Sequence, residues 1–244
     1  MSKIVLGGSN AWFVSPDNKY GLSTQPAKNI TDGDFSFLAK IRVNWDKMDP
    51  DNLSREGGVI IKNGLHMGLS VIKPDHEHCY VKATIWTIDA SLGADGMKNE
   101  DILVKVNWED GDLDKEYEVG FSFKKKEKEF SVYCDGTWET KKFEGTLIDY
   151  SNAWLWVGAS NPLESCPVDF RQFFTGEIYN VGIFNKALDR EEIIEIYRDF
   201  QNVSKRLKPV GLYDFKKQTP YKVLDISKNG NNLVLFDVTW MDSI

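Results

Sequence analysis

Cysteine is scarce in this chain, with three among 244 residues: Cys79, Cys134 and Cys166. An odd number excludes a fully paired disulfide framework, and their spacing matches no metal motif. They read as small buried apolar residues, which suits a reducing compartment. Long apolar runs are also missing. No stretch approaches the roughly 20 residues that a membrane span needs, and the run ahead of Gly7-Gly8 is too short for the apolar region of a signal peptide. Positive charge is in deficit, 30 Lys and Arg against 37 Asp and Glu, for a net charge of -7. The densest basic stretch, Lys124 to Lys128, is diluted by Glu127 and Glu129, so the chain lacks the basic footprint of a nucleic-acid binder. These absences predict a soluble chain with no nucleic-acid partner and no membrane span, cytoplasmic or virion-associated unless it is excised from a longer secreted protein.

Catalytic signatures are absent too. There is no nucleophile elbow, glycine-rich phosphate loop or zinc-protease motif. A retaining glycanase needs two carboxylates roughly 5 Å apart facing one groove, and no strand here carries such a set. Glu109, Asp110 and Asp112 surround Gly111 and read as a solvated turn, whereas Glu191, Glu192 and Glu195 fall on a helix as its solvated face. A non-enzyme is expected.

Aromatic residues, by contrast, make up 13% of the chain, with 8 Trp, and hydrophobic residues 41%, enough to fill a core between two sheets. Period-two alternation dominates. Phe35, Phe37, Ala39, Ile41, Val43 and Trp45 share one face of a strand whose other face is Ser36, Lys40, Arg42 and Asn44, the pattern of a half-buried antiparallel strand. Leu65, Met67, Leu69 and Val71 share another, after an Asn63-Gly64 hairpin signal. Tyr80 to Ile88, Ile102 to Trp108, Tyr117 to Phe123, Glu129 to Cys134 and Trp138 to Lys142 continue the series, and Asp135-Gly136 marks a second tight turn. One helix interrupts it. Asp189 stands at its N-cap with Glu192 three residues on, and Ile193, Ile196, Tyr197 and Phe200 give one apolar face. The prediction is an all-β protein, an antiparallel sandwich with one short helix near residues 189–200.

The order of strand, Asn185-Lys186 break, Ala-Leu turn and acidic capped helix from Phe173 to Tyr197 resembles the closing motif of laminin-G-like, concanavalin A-like jelly-roll domains. Val132-Tyr133-Cys134-Asp135-Gly136 is similar to that family's Tyr-Val-Asn-Gly hairpin, and Ala153 to Ala159 to its following Ile-Gly strand. The resemblance spans roughly Asp34 to Phe200. The tail, Leu212-Tyr213-Asp214-Phe215 and then Val223 to Asn232, resembles the segment that opens many members, yet here it comes last. Either it closes the same sandwich or it begins a truncated second repeat. Leu233, Leu235, Val238 and Trp240 would be hard to keep soluble unpaired, which favours one domain over 1–244 with 209–244 as its closing strand segment.

The resemblance implies a lectin-like carbohydrate-binding module, with a protein-protein or assembly module appended to a larger enzyme or a virion as the alternative, and a glycan-cleaving enzyme as a third. Sugars are held by aromatic stacking and polar hydroxyl contacts. Tyr80, Lys82 and Trp86, with His66 on the neighbouring strand, form one polar and aromatic strand face, and Trp138 follows a tight turn; these are the candidate carbohydrate-binding residues. Trp154 and Trp156 sit in a dense apolar strand and are assigned to the core. The resemblance also implies Ca²⁺ at the sandwich rim, with Asp225 in the family's acidic position and Asn229 beside it. Asn180 stands where the family has an acid, which weakens the set. His76 and His78 could share a transition metal if they lay on a strand, but Pro74-Asp75 marks a turn.

Overall fold

The computed structural model describes residues 3–7, 12–14, 33–48, 57–63, 67–89, 91–92, 96–108, 114–147, 155–160, 172–202, 204–219, 222–236 and 240–241. Its strands are, in order, β1 (Lys3–Gly7), β2 (Trp12–Val14), β3 (Phe35–Val43), β4 (Gly57–Asn63), β5 (Met67–Ile72), β6 (Cys79–Ile88) and β7 (Met97–Val106). Next come β8 (Glu116–Lys124), β9 (Glu129–Cys134), β10 (Thr137–Lys142), β11 (Thr146–Leu147), β12 (Leu155–Val157), β13 (Ala159–Ser160), β14 (Gln172–Phe173) and β15 (Thr175–Phe184). Helices α1 (Arg190–Arg198) and α2 (Ser204–Leu207) follow, and then β16 (Gly211–Thr219), β17 (Lys222–Asp225), β18 (Leu233–Phe236) and β19 (Trp240–Met241).

Two antiparallel layers face each other as a sandwich of the jelly-roll class. One runs β10–β9–β8–β3–β15–β16, the other β7–β6–β5–β4–β12. The ladder β16–β17–β18–β2–β12 joins them along one side. The tail therefore pairs with the body: β16 lies beside β15 with Asn180 opposite Asp214. Between the layers, alternate residues of both sheets meet in one core, with Phe35, Phe37, Phe121, Phe123 and Phe130 from one layer against Leu69, Val71, Val81 and Ile85 from the other. The expected set Phe35, Phe37, Ala39, Ile41, Val43 and Trp45 all points into it.

The outer face of β3 differs from the half-buried strand that its pattern suggests. Ser36 and Leu38 are fully buried there, because α1 lies across this layer. Leu38, Tyr133, Phe184, Leu188, Ile193, Ile196 and Leu212 form a second core between helix and sheet. Helix α1 starts as its sequence requires. Asp189 Oδ1 accepts the Glu192 amide at 2.8 Å, and Glu192 Oε2 accepts the Asp189 amide at 3.3 Å, which together make a capping box. Tyr197 Oη reaches through to Ala39 O at 2.9 Å and Val119 O at 2.5 Å, and burial pushes this phenol well above its ordinary pKa.

Gly120 is what lets the helix come this close. A Cβ there would sit 2.8 Å from Leu38 Cδ2 and 3.2 Å from Ile193 Cδ1. Replacing it with valine is expected to lower stability by about 1–3 kcal/mol through overpacking, read as a lower urea midpoint with unchanged m-value. An unchanged midpoint would show that the helix has room to move.

Cys79 and Cys134 are buried free thiols, as their composition suggests. Burial pushes the first up to about 11 and the second up to about 12, so both stay protonated in the core. Cys166 lies outside the described residues. Among the described residues no helix is long and apolar enough to cross a membrane.

Candidate functional site

Strand β6 builds the candidate site by alternation alone. Cys79, Val81, Ala83, Ile85 and Thr87 are buried, whereas Tyr80, Lys82, Thr84, Trp86 and Ile88 are half-buried on the opposite face. Lys82, Tyr80 and Trp86 therefore share the outward side of the β7–β6–β5–β4–β12 layer, as the sequence predicts. At about 3.3 Å per residue the rings of Tyr80 and Trp86 originate some 20 Å apart along the strand. His66 lies outside the described residues. Trp138 does not join them: it is on β10 in the other layer, opposite Tyr133, and packs partly buried against the cluster under α1.

Strand β7 supplies neighbours that the sequence reading leaves out. It begins at Met97 rather than near Ile102, so Asn99 and Asp101 join the sheet, opposite Trp86 and Thr84. Ile102, Val104 and Val106 face the core, which turns Asp101, Leu103 and Lys105 outward. Asp101 accepts the Thr84 hydroxyl at 2.7 Å and the Asn99 amide at 3.2 Å, and Lys82 Nζ stands 3.5 Å away. The polar groups between the two aromatic rings are thus held by one another. No hydrophobic alternation announces this extension, because Lys98, Asn99, Glu100 and Asp101 are four successive polar residues.

The outward face is not open along its whole width. Val59 on β4 and Trp156 on β12 are buried although neither belongs to the inter-sheet core. Trp156 is thus buried as its apolar strand suggests, but Leu155 and Val157 are the residues of β12 that enter the inter-sheet core. Trp154 lies outside the described residues. Exposure rises toward β7, where Leu103 is 45% exposed. At one end, His78 extends the aromatic row: its ring stacks on Tyr80 at a centroid distance of 6.2 Å and an interplanar angle of 18°. Asp75 fixes that imidazole, with Oδ1 2.8 Å from His78 Nδ1 and also accepting the Glu77 and His78 amides. The backbone hydrogen bond from Glu77, with those from His78, holds the Asp75 carboxyl below the usual carboxylate range. His76 and His78 lie in or beside a turn ahead of β6, and among the described residues no group of three His, Cys, Asp or Glu could hold a metal.

The proposed calcium residues are engaged otherwise. Asp225 Oδ1 accepts the amides of Leu212 at 3.0 Å and Ser227 at 2.9 Å, and Oδ2 accepts that of Asn231 at 3.0 Å. Asn229 turns its amide nitrogen to Pro209 O at 2.7 Å, and Asn180 Oδ1 accepts the Lys40 amide at 3.1 Å beside a bulge in the β15–β3 ladder. A hard cation needs six to eight oxygens at one point. Here one carboxylate accepts three backbone amides, while Asn180 Oδ1 and the Asn229 amide nitrogen serve two separate backbone sites.

No family model matches the sequence, and no curated protein sequence matches it. Solved structures do share the fold. A candidate carbohydrate-binding protein from Bacteroides ovatus superposes with a TM-score of 0.60 at 12% identity, covering 99% of this chain and 61% of its own. The chain thus spans less than two thirds of that protein. The CBM40 of a Ruminococcus gnavus IT-sialidase bound to α2,3 sialyllactose gives 0.54 at 11% identity, covering 80% of this chain and 96% of its own. A leech intramolecular trans-sialidase gives 0.52 at 11% identity, with 80% and 27% covered.

Proposed function

We propose that this chain is a non-catalytic, lectin-like module that takes a saccharide along the outward face of β6 and β7. The observation that carries this is the row Tyr80, Lys82, Thr84 and Trp86, two aromatic rings separated by hydroxyl, ammonium and carboxylate groups already linked through Asp101. Rings at both ends stack on the C–H faces of sugar units, and the polar middle takes their hydroxyls. A span of about 20 Å suits an extended oligosaccharide better than one ring. The carbohydrate-binding descriptions of the Bacteroides and Ruminococcus structures support the same class of ligand.

The face also argues against hydrolysis. Asp101 is the one carboxylate on the outward positions of β5, β6 and β7 among the described residues, and glycoside hydrolysis takes two. A second reading, an assembly or protein-binding module, is favoured by Leu103, which is exposed amid the polar groups. A glycan array separates the two. Specific glycan binding lost in Trp86→Ala, by at least about tenfold for a lost stacking contact and its burial, supports the saccharide reading. The array is run with Ca²⁺ and with chelator, and equal binding in both is expected. Absence of binding across the array, with a co-purifying protein that free sugar does not displace, would favour the assembly reading.

A further inference from the structure

At the rim of the other layer the chain forms an open pocket of about 470 Å³, lined by Asn185, Lys208, Pro209, Val210, Asn229 and Asn231. Its construction is specific. After α2 the chain reverses through Lys208, which takes a left-handed φ of 47°, and Val210 then donates its amide to Ile183 O at 2.8 Å. The Pro209 and Val210 carbonyls receive the side-chain nitrogen of Asn229 at 2.7 and 3.1 Å, and Val210 O that of Asn231 at 2.8 Å. A main-chain carbonyl can only accept, so these bonds fix which end of each amide faces the backbone. The two Oδ1 atoms are left on the other side, and among the described residues neither accepts a hydrogen bond.

Three properties of the lining define its ligand. Three asparagines supply acceptors and donors in fixed or exposed positions, which suits hydroxyl groups. No carboxylate lines it, so the anionic oxygens that raise affinity for a hard cation are missing from the lining. Among the described residues no carboxylate pairs with the exposed Lys208 ammonium, so the one charge that the lining carries is positive. No aromatic ring lines it either, so a ligand enters end-on rather than by stacking. The volume lies in the range of small-molecule sites.

We propose that this rim pocket is a second binding site, separate from the β6–β7 face, which takes the terminal unit of an acidic sugar. The asparagine amides take its hydroxyls and Lys208 pairs with its carboxylate. Asn229 thereby changes role, from an implied metal ligand to a wall of a sugar-acid pocket.

The test is a titration of the full chain with D-glucuronate and, in parallel, D-glucose, followed by backbone amide NMR. Glucuronate is expected to shift the amides of Asn185, Lys208, Val210, Asn229 and Asn231 with saturation, and glucose to bind at least tenfold more weakly. Lys208→Gln should remove that preference, and Asn185→Trp should block both ligands. Both rim residues are at the surface, and the spectra themselves report whether each variant is folded. Absence of saturable shifts at these residues, or shifts that survive in both rim variants, would overturn the proposal. Because the shifts are read at the rim residues and not on β6 or β7, a failure here leaves the array result standing, and the reverse also holds.

Discussion

Phe121→Ala is expected to destabilise the protein by about 3–5 kcal/mol, the range for removing a buried phenylalanine. The ring is fully buried where β3, β8 and β9 meet. It stands opposite Phe37 on one side and Val132 on the other, with ring centroids of Phe35, Phe37 and Phe130 at 5.5, 5.9 and 6.2 Å. Strand pairing fixes these neighbours through the backbone, so they cannot collapse into the space left behind, which places the site toward the upper end of the range. Since total stability of a domain is about 5–15 kcal/mol, the loss takes a large share of it. Urea denaturation checks this, and Phe121→Leu, which keeps most of the volume, serves as the comparison at about 1 kcal/mol. A loss near 1 kcal/mol for the alanine variant as well would mean that the aromatic cluster repacks freely.

The same cluster shows what the sequence makes legible. Period two assigns Phe35 to Val43, Met67 to Val71, Val81 to Ile85 and Phe121 to Phe123 to the core, because a strand sends alternate residues to opposite faces whatever the topology. The capping box was equally readable, since Asp189 and Glu192 act within one helical turn. Which outer faces are covered was not readable. Ser36 and Leu38 look like solvent-side residues until α1, some 150 residues later, is laid over them, and nothing local to β3 announces that. Likewise the tight turn that singles out Trp138 does not say which layer it joins: Trp138 and Trp86 sit on different layers, and only the strand order separates them. The rim pocket is less legible still. Its walls come from a β15–α1 turn, the segment after α2 and the turn after β17, brought together by the β15–β16 and β16–β17 ladders.

Asp225→Ala is expected to lower stability by about 2–4 kcal/mol, an effect unusual for a residue in a turn. Its carboxylate accepts three backbone amides, from Leu212, Ser227 and Asn231, while its own amide donates to Asn232 Oδ1 at 2.9 Å. Hydrogen bonds to an ionised acceptor contribute about 1.5–3 kcal/mol each. The sum is discounted here because the residue is only partly buried and water can replace some of the lost bonds. Those bonds shape the turn in which Lys228 and Gly230 take left-handed φ values of 75° and 80°, and they tie it to β16. Losing them should loosen the tail from the sandwich and open the rim pocket together. If the carboxylate works in this way, thermal melting of the native protein is unchanged by millimolar Ca²⁺ or chelator. Asp225→Asn, which keeps one acceptor oxygen, should then recover part of the loss under both conditions. A melting temperature that rises with Ca²⁺ in the native protein but not in either variant would instead assign Asp225 to a cation and overturn the turn-anchor role.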